Sequence, residues 1–173
     1  MSLDGYITGP HGEADWIVMD PTMNFAELWA QFDTLLMGRL TYEAAIRRLG
    51  PSSMRGKRLV VASRTLAPDS APTQPPAQPG ITILPELTKS AIDSLREQGP
   101  NDGKDIWLMG GGETFSFLLA LQAIDTVEVS IVPVLLGAGI PLLPPIEQRT
   151  GLKLAEHRIY PSGVVSLIYD VLR

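Results

Sequence analysis

Three short segments concentrate residue types that hold phosphate: Met37-Gly38-Arg39-Leu40-Thr41, Ala62-Ser63-Arg64-Thr65 and Met109-Gly110-Gly111-Gly112-Glu113-Thr114. Glycine has no Cβ, so a ligand can approach its backbone closely. A guanidinium offers a fork of donors matched to phosphate oxygens. Where such a turn opens a helix, the first N–H groups are unpaired and the macrodipole favours an anion. Each segment ends an apolar run that reads as a strand, and ligands of open parallel sheets sit beyond the carboxyl ends of the strands. Together the three describe a site for a nucleotide with separated phosphates. There is no G-x-G-x-x-G fingerprint and no G-x-x-x-x-G-K-S/T loop, which disfavours ordinary Rossmann dehydrogenases and P-loop kinases.

The elements that must carry these turns follow from periodicity. Phe25, Leu28, Trp29 and Phe32 recur at i, i+3, i+4, i+7, which predicts a helix with a buried stripe over residues 23–32. Residues 34–37 form an apolar run too short for a helix and read as a buried strand, with a helix over 42–49 stopped by Gly50-Pro51. Further strands are expected at 59–62, 81–84, 105–109 and 127–132, and further helices at 89–97 and 113–121. Residues 152–160 and 164–172 flank Pro161-Ser162-Gly163 as a hairpin. Alternating strands and helices closed by a hairpin imply an α/β fold: a mostly parallel central sheet flanked by helices, with a C-terminal antiparallel hairpin. Residues 67–80 hold five prolines and read as a surface excursion within one domain over 1–173.

Composition removes several chemistries. The 173 residues carry 14 Lys+Arg against 19 Asp+Glu, a net charge of −5, which argues against a nucleic-acid partner. The absence of cysteine excludes disulfides, thiolate metal sites and a cysteine nucleophile. His11 and His157, the 2 histidines, are far apart, so no metal site and no histidine triad are expected. The longest apolar stretch, 131–146, is broken by Pro133, Pro141, Pro144 and Pro145 and does not suit a membrane span. No secretory signal is recognisable, and a cytoplasmic protein is expected.

An ordered set of motifs covers nearly the whole chain. It runs from Ser2-Leu3-Asp4-Gly5-Tyr6-Ile7 and Asp15-Trp16 through Leu36-Met37-Gly38-Arg39, Thr41-Tyr42-Glu43 and Ser63-Arg64-Thr65. It continues with 106–113 (IWLMGGGE) and 133–142 (PVLLGAGIPL). In this the chain resembles the dihydrofolate reductase-like superfamily, and specifically the reductase domain at the C-terminus of bacterial riboflavin-biosynthesis deaminase–reductases. The resemblance implies an NADPH-dependent oxidoreductase that passes a hydride to a small heterocycle of the pteridine or ribosylaminopyrimidine class. It implies that Gly38, Arg39 and Thr41 hold cofactor phosphates, and that Ser63, Arg64 and Thr65 receive the adenosine 2′-phosphate. Gly110, Gly111, Gly112, Glu113 and Thr114 would cradle the pyrophosphate and the nicotinamide side, with Ile7 and Thr8 near the ring. Such proteins are commonly homodimers, and the apolar segment 131–143 is the expected contact.

Two departures stand out. The family has a full strand before Ser-Leu-Asp-Gly where only Met1 stands here, so the strand is truncated, very short or replaced by another segment or subunit. The carboxylate that helps protonate the substrate has no aligned counterpart. Asp4 and Glu27 are the candidates, against the plainer readings of a turn-stabilising side chain and a solvated helix face. Trp16, Trp29 and Phe32 either wall an aromatic pocket or pack the core, and Ser130 either meets substrate or is a satisfied strand hydroxyl. No H-x-E…P-C-x-x-C deaminase motif is present, so a role in the riboflavin pathway needs a separate deaminase. The alternative function is an NADPH-binding sensor or interaction protein without turnover.

Overall fold

The structure is a computed structural model of the chain in which residues 1–66, 81–97, 105–146 and 149–173 are described. The expected excursion at 67–80 lies outside the described residues. In chain order the elements are β1 (Tyr6–Thr8), α1 (Phe25–Ala30), β2 (Phe32–Gly38), α2 (Arg39–Leu49), a 3-10 turn (Pro51–Met54) and β3 (Arg58–Ala62). Then come β4 (Thr82–Leu84), α3 (Lys89–Glu97), β5 (Asp105–Leu108), α4 (Gly112–Ala120), β6 (Thr126–Ile131), β7 (Ile140–Pro141), β8 (Leu152–Ile159) and β9 (Val165–Val171). They fall into two compact units, Phe25–Phe115 and the combination of Met1–Asn24 with Ser116–Arg173.

The first unit holds a parallel sheet in the order β4-β3-β2-β5. Its centre comes from the two apolar runs, paired Leu35 to Leu59, Leu36 to Val60 and Met37 to Val61. Alternate residues point to opposite faces, and all six are buried, as parallel strands covered on both sides require. Leu35, Met37, Leu59 and Val61 share one cluster with Tyr42 of α2 and Met54. The helix after β2 starts as Gly38 leaves the sheet and ends where the Gly50 N–H returns to the Ile46 carbonyl.

Helix α1 departs from expectation. It spans Phe25–Ala30, none of its side chains is buried, and Phe32 opens β2. Lys57 accounts for the early stop: its Nζ donates to the carbonyls of Trp29 (2.6 Å) and Phe32, so the chain turns from helix to strand over one cation. The same ammonium stands 5.1 Å from the Trp29 ring centre. Trp107 packs edge-on to Trp29 at 5.9 Å and tilted to Phe32 at 5.1 Å, so these aromatics pack against one another.

The second unit is antiparallel. β6-β9-β8 form one sheet, the hairpin closing through Tyr160 and Val164, and β1 pairs with β7. Neither β1 nor β7 shows in the periodicity. Residues Met1 to Leu3 run beside the end of β6: the terminal ammonium donates to the Ser130 carbonyl (2.6 Å), Val132 N–H to Met1 (2.8 Å) and Leu3 N–H to Val134 (2.9 Å). A short parallel pairing, Ser2 with Val132, therefore stands before the Asp4-Gly5 turn.

Register divides the side chains of the three-stranded sheet cleanly. One face takes Val165, Leu167, Tyr169 and Val171 from β9 and Val127, Val129 and Ile131 from β6. A bulge near Ala155 keeps β8 in phase, so Leu152 and Leu154 before it and His157 and Ile159 after it join the same face. The reverse face is mostly polar, with Glu128, Glu156, Lys153 and Arg158, and Ser166 on it is buried.

Candidate functional site

The strand ends line up. β2 lies between β3 and β5, Gly38 is paired with Ala62, and the Met109 N–H donates to the Leu36 carbonyl at 2.9 Å. The chain therefore leaves the sheet at Gly38, Ser63 and Gly110 along one edge, and α2 and α4 both begin there with their unpaired N–H groups. Gly110 (φ 107°) and Gly111 (φ 92°) hold left-handed backbone that a side chain would strain.

Two threonine hydroxyls fill the space between the helix starts. A Cβ on Gly38 would stand 2.8 Å from Thr114 Oγ1, and one on Gly111 would stand 3.2 Å from Thr41 Oγ1 and 3.4 Å from Thr114 Oγ1. Gly38, Thr41, Gly111 and Thr114, each singled out from the sequence, are thus brought together. The Arg39 guanidinium pairs with Glu43 one turn along α2 at 2.7 Å, both half-exposed. Ser63 builds the adjoining turn: its N–H donates to the Leu84 carbonyl (2.9 Å), and its Oγ accepts from Leu66 N–H (2.8 Å) and Thr65 N–H (3.2 Å). That turn leaves Arg64 and Thr65 exposed at its tip. Glu113, in the first turn of α4, is exposed and holds its carboxylate in solvent.

The donors fit an extended polyanion. Unpaired helix N–H groups, two hydroxyls and a cation meet where side-chain bulk is excluded, and a pyrophosphate needs that combination. Gly38, Arg39, Thr41, Gly110, Gly111, Gly112 and Thr114 would hold it. Tyr42, on the helix expected over 42–49, packs into the core cluster. It is 2% exposed and its hydroxyl has no hydrogen-bond partner, while burial raises its pKa.

Ile7, Thr8 and Asp4 belong to the other unit. Ile7 and Thr8 lie on β1, where the buried Thr8 Oγ1 also lacks a partner. Asp4 is tied down: Gly137 N–H (2.8 Å) and Leu136 N–H (3.1 Å to the same oxygen) donate to its carboxylate. The Ser2 hydroxyl, then these N–H groups, hold its pKa below the ordinary value. It is therefore ionised at neutral pH, and its bonds fix the 136–137 loop. Glu27 lies on the exposed face of α1, and Ser130 Oγ meets Ser166 Oγ at 3.3 Å. His11 sits in an exposed loop, and the Trp16 indole donates to the Glu13 carbonyl at 3.1 Å.

Among the described residues, no helix is long and apolar enough to cross a membrane. The uncharacterized protein YyaP of Bacillus subtilis (strain 168) is 32% identical over 180 residues, covering 98% of this chain and 90% of that protein. The crystal structure of a putative riboflavin biosynthesis protein from Shewanella sp. PV-4 superposes with a TM-score of 0.81 at 23% identity, over 100% of this chain and 96% of the other. A diaminohydroxyphosphoribosylaminopyrimidine deaminase/5-amino-6-(5-phosphoribosylamino)uracil reductase from Thermotoga maritima superposes with a TM-score of 0.70 at 16% identity. That match covers 99% of this chain but only 54% of the Thermotoga protein. The RibD C-terminal domain model matches residues 1–166, and the chain accordingly belongs to that family, one of NAD(P)H-dependent reductases.

Proposed function

We propose that the protein is an NADPH-dependent reductase that delivers a hydride to a C=N or carbonyl-type carbon of a small heterocycle. The observation that carries this is the pair of glycine-opened helix starts, α2 and α4, in register at one sheet edge with Thr41 and Thr114 between them. Residues 1–173 are read as one reductase domain, because the family match at 1–166 spans both compact units.

The residues of the first unit bind and orient. Gly38, Arg39, Thr41 and the 110–114 turn take the pyrophosphate. The exposed guanidinium of Arg64, on the turn closed by Ser63 and Thr65, takes a 2′-phosphate and so selects NADPH over NADH. In the other unit, Ile7 and Thr8 lie on one short strand, and the unpaired Thr8 hydroxyl suits a polar ligand group such as an amide. When bound, the nicotinamide supplies the hydride. The accompanying proton is assigned to Glu27, since the Asp4 carboxylate is ionised and committed to its loop. An aminopyrimidine carrying a ribosyl phosphate is the leading substrate class, supported by the reductase activity named for the Thermotoga relative.

Fluorescence titration with both nicotinamide cofactors tests the reading. Each charge-assisted contact is worth about 1.5–3 kcal/mol, so Arg39→Ala should weaken NADPH binding about 10- to 100-fold with little loss of stability. Arg64→Ala should weaken NADPH and leave NADH unchanged. Equal affinity of the unaltered protein for the two cofactors overturns the 2′-phosphate assignment. NADPH binding without oxidation across pteridines, aminopyrimidines and small carbonyls would instead mark a nucleotide-binding protein without turnover. Glu27→Gln should lower kcat and leave NADPH affinity intact.

A further inference from the structure

Helix α2 opens without the devices that stabilise a helix start. Its N-cap, Gly38, supplies no side-chain bond, and no acidic residue stands in the first turn. Arg39 stands there instead, a cation at the end where the macrodipole opposes it. The far end is conventional, with Arg47 and Arg48 in the last turn. A start left open in this way gains most when an anion occupies it.

Glu43 has a cation one turn away on either side, Arg39 before it and Arg47 after it. Carboxylate first and cation second, as in Glu43 with Arg47, is the order that supports a helix. The structure shows the other choice. Among the described residues Glu43 pairs only with Arg39, Oε1 to Nη1 at 2.7 Å, and Arg47 stays exposed. The two side chains are 39% and 38% exposed, so solvent screens the pair and it adds little to stability.

We propose that Glu43 is a positioning residue for the anion edge: it holds the Arg39 guanidinium in place for a cofactor phosphate. The inference rests on the reading of Gly38, Arg39 and Thr41 as phosphate contacts. A free arginine samples many rotamers, and a ligand that binds it must overcome the loss of that freedom. Pairing with Glu43 restricts the side chain before the ligand arrives. It engages one N–H of the guanidinium fork and leaves the others for phosphate oxygens. Glu43 need not touch the cofactor to do this, and its effect passes through Arg39 alone.

A double-mutant cycle on the full chain, read by fluorescence titration with NADPH, tests this. Glu43→Ala should weaken NADPH about 3- to 10-fold and shift Tm by less than about 2 °C. Glu43→Gln should stay within about 3-fold of the parent, because its amide oxygen still accepts from the guanidinium. With Arg39→Ala already in place, Glu43→Ala should have no further effect, and Arg47→Ala alone should leave the affinity unchanged. Unchanged or tighter binding in Glu43→Ala overturns the proposal while Arg39 keeps its phosphate role. So does an equal loss in the Arg39→Ala background. If Arg39→Ala itself leaves NADPH binding intact, the phosphate reading of Arg39 falls, and the positioning role of Glu43 falls with it.

Discussion

The two sheets of this protein spend similar apolar sequence in different ways. In the parallel sheet, Leu35, Leu36, Met37, Leu59, Val60 and Val61 are all at 2% exposure or less, on both faces. In the antiparallel sheet, Val127, Val129, Leu167, Tyr169, Leu152 and Leu154 share one face, and none is buried. Parallel strands need crossovers, and the crossover helices supply cover. Antiparallel strands are joined by a hairpin and bring no cover with them. The parallel sheet thus lines up three strand ends, the edge proposed above for the cofactor, whereas the antiparallel sheet leaves one apolar face half-exposed.

Truncation exposes this contrast most strongly. Leu35→Ala removes a side chain at 0% exposure between packed neighbours and should cost about 2–5 kcal/mol. Leu154→Ala removes a side chain already 48% exposed and should cost less than about 1 kcal/mol when measured on the monomer. Urea denaturation at dilute protein concentration gives both numbers. Similar losses would mean that the two sheets are equally buried in solution.

The parallel half was also the more legible. Continuous apolar runs ended by Gly38, Ser63 and Gly110 predict the strands and the common end at which they stop, and α3 falls on the expected 89–97. The hairpin at 161–163 declares itself through Pro161-Ser162-Gly163. What stayed hidden depends on distance along the chain. β1 has 3 residues and β7 has 2, and they exist because they pair with each other. α1 ends early because Lys57, far along the sequence, caps it. Asp4 reads equally well as a proton donor or a turn residue until Leu136 and Gly137 are seen donating to it.

Two glycines test the contrast at intermediate size. A Cβ on Gly139 would stand 2.2 Å from the Thr8 carbonyl oxygen, a backbone atom that cannot move without parting β1 from β7. Gly139→Ala should therefore cost roughly 1–3 kcal/mol in stability. Gly38 has an ordinary φ of −74°, and its nearest obstacle is the Thr114 hydroxyl. Gly38→Ala should cost less than about 1 kcal/mol, yet weaken NADPH about 10-fold by filling the space between the helix starts. Thermal melts with and without NADPH separate the two. A Gly38→Ala protein with unchanged affinity would move the phosphates away from that edge.

The smallest effects concern proton linkage within the antiparallel unit, where two carboxylates shift in opposite directions. Asp20 is buried at 3% exposure and accepts from the Thr22 hydroxyl, the Thr22 N–H and the Ser162 N–H, binding the N-terminal segment to the β8–β9 turn. Those bonds, Thr22 first, hold its pKa well below the usual carboxylate range. A depressed native pKa contributes stability that is complete above the unfolded value, about 4, and is lost as pH falls through the native one. Asp20→Asn should therefore lower stability at neutral pH and flatten its dependence below about pH 4. Glu128 is the reverse case. Burial, and then the charge of Glu156 across Ile168, raise its pKa. Its ionised form is less favourable in the native state, so the unfolded chain releases that proton more readily. Stability is then gained as pH falls toward the unfolded value, about 4.3, and Glu128→Gln should raise neutral-pH stability by no more than about 2 °C in Tm. The increment is small because Glu128 is only partly buried and solvent screens the pair. Melts of both variants between about pH 3 and about pH 7 should slope in opposite senses relative to the parent. Matching slopes would show that one field acts on both carboxylates, in place of hydrogen bonds on Asp20 and burial on Glu128.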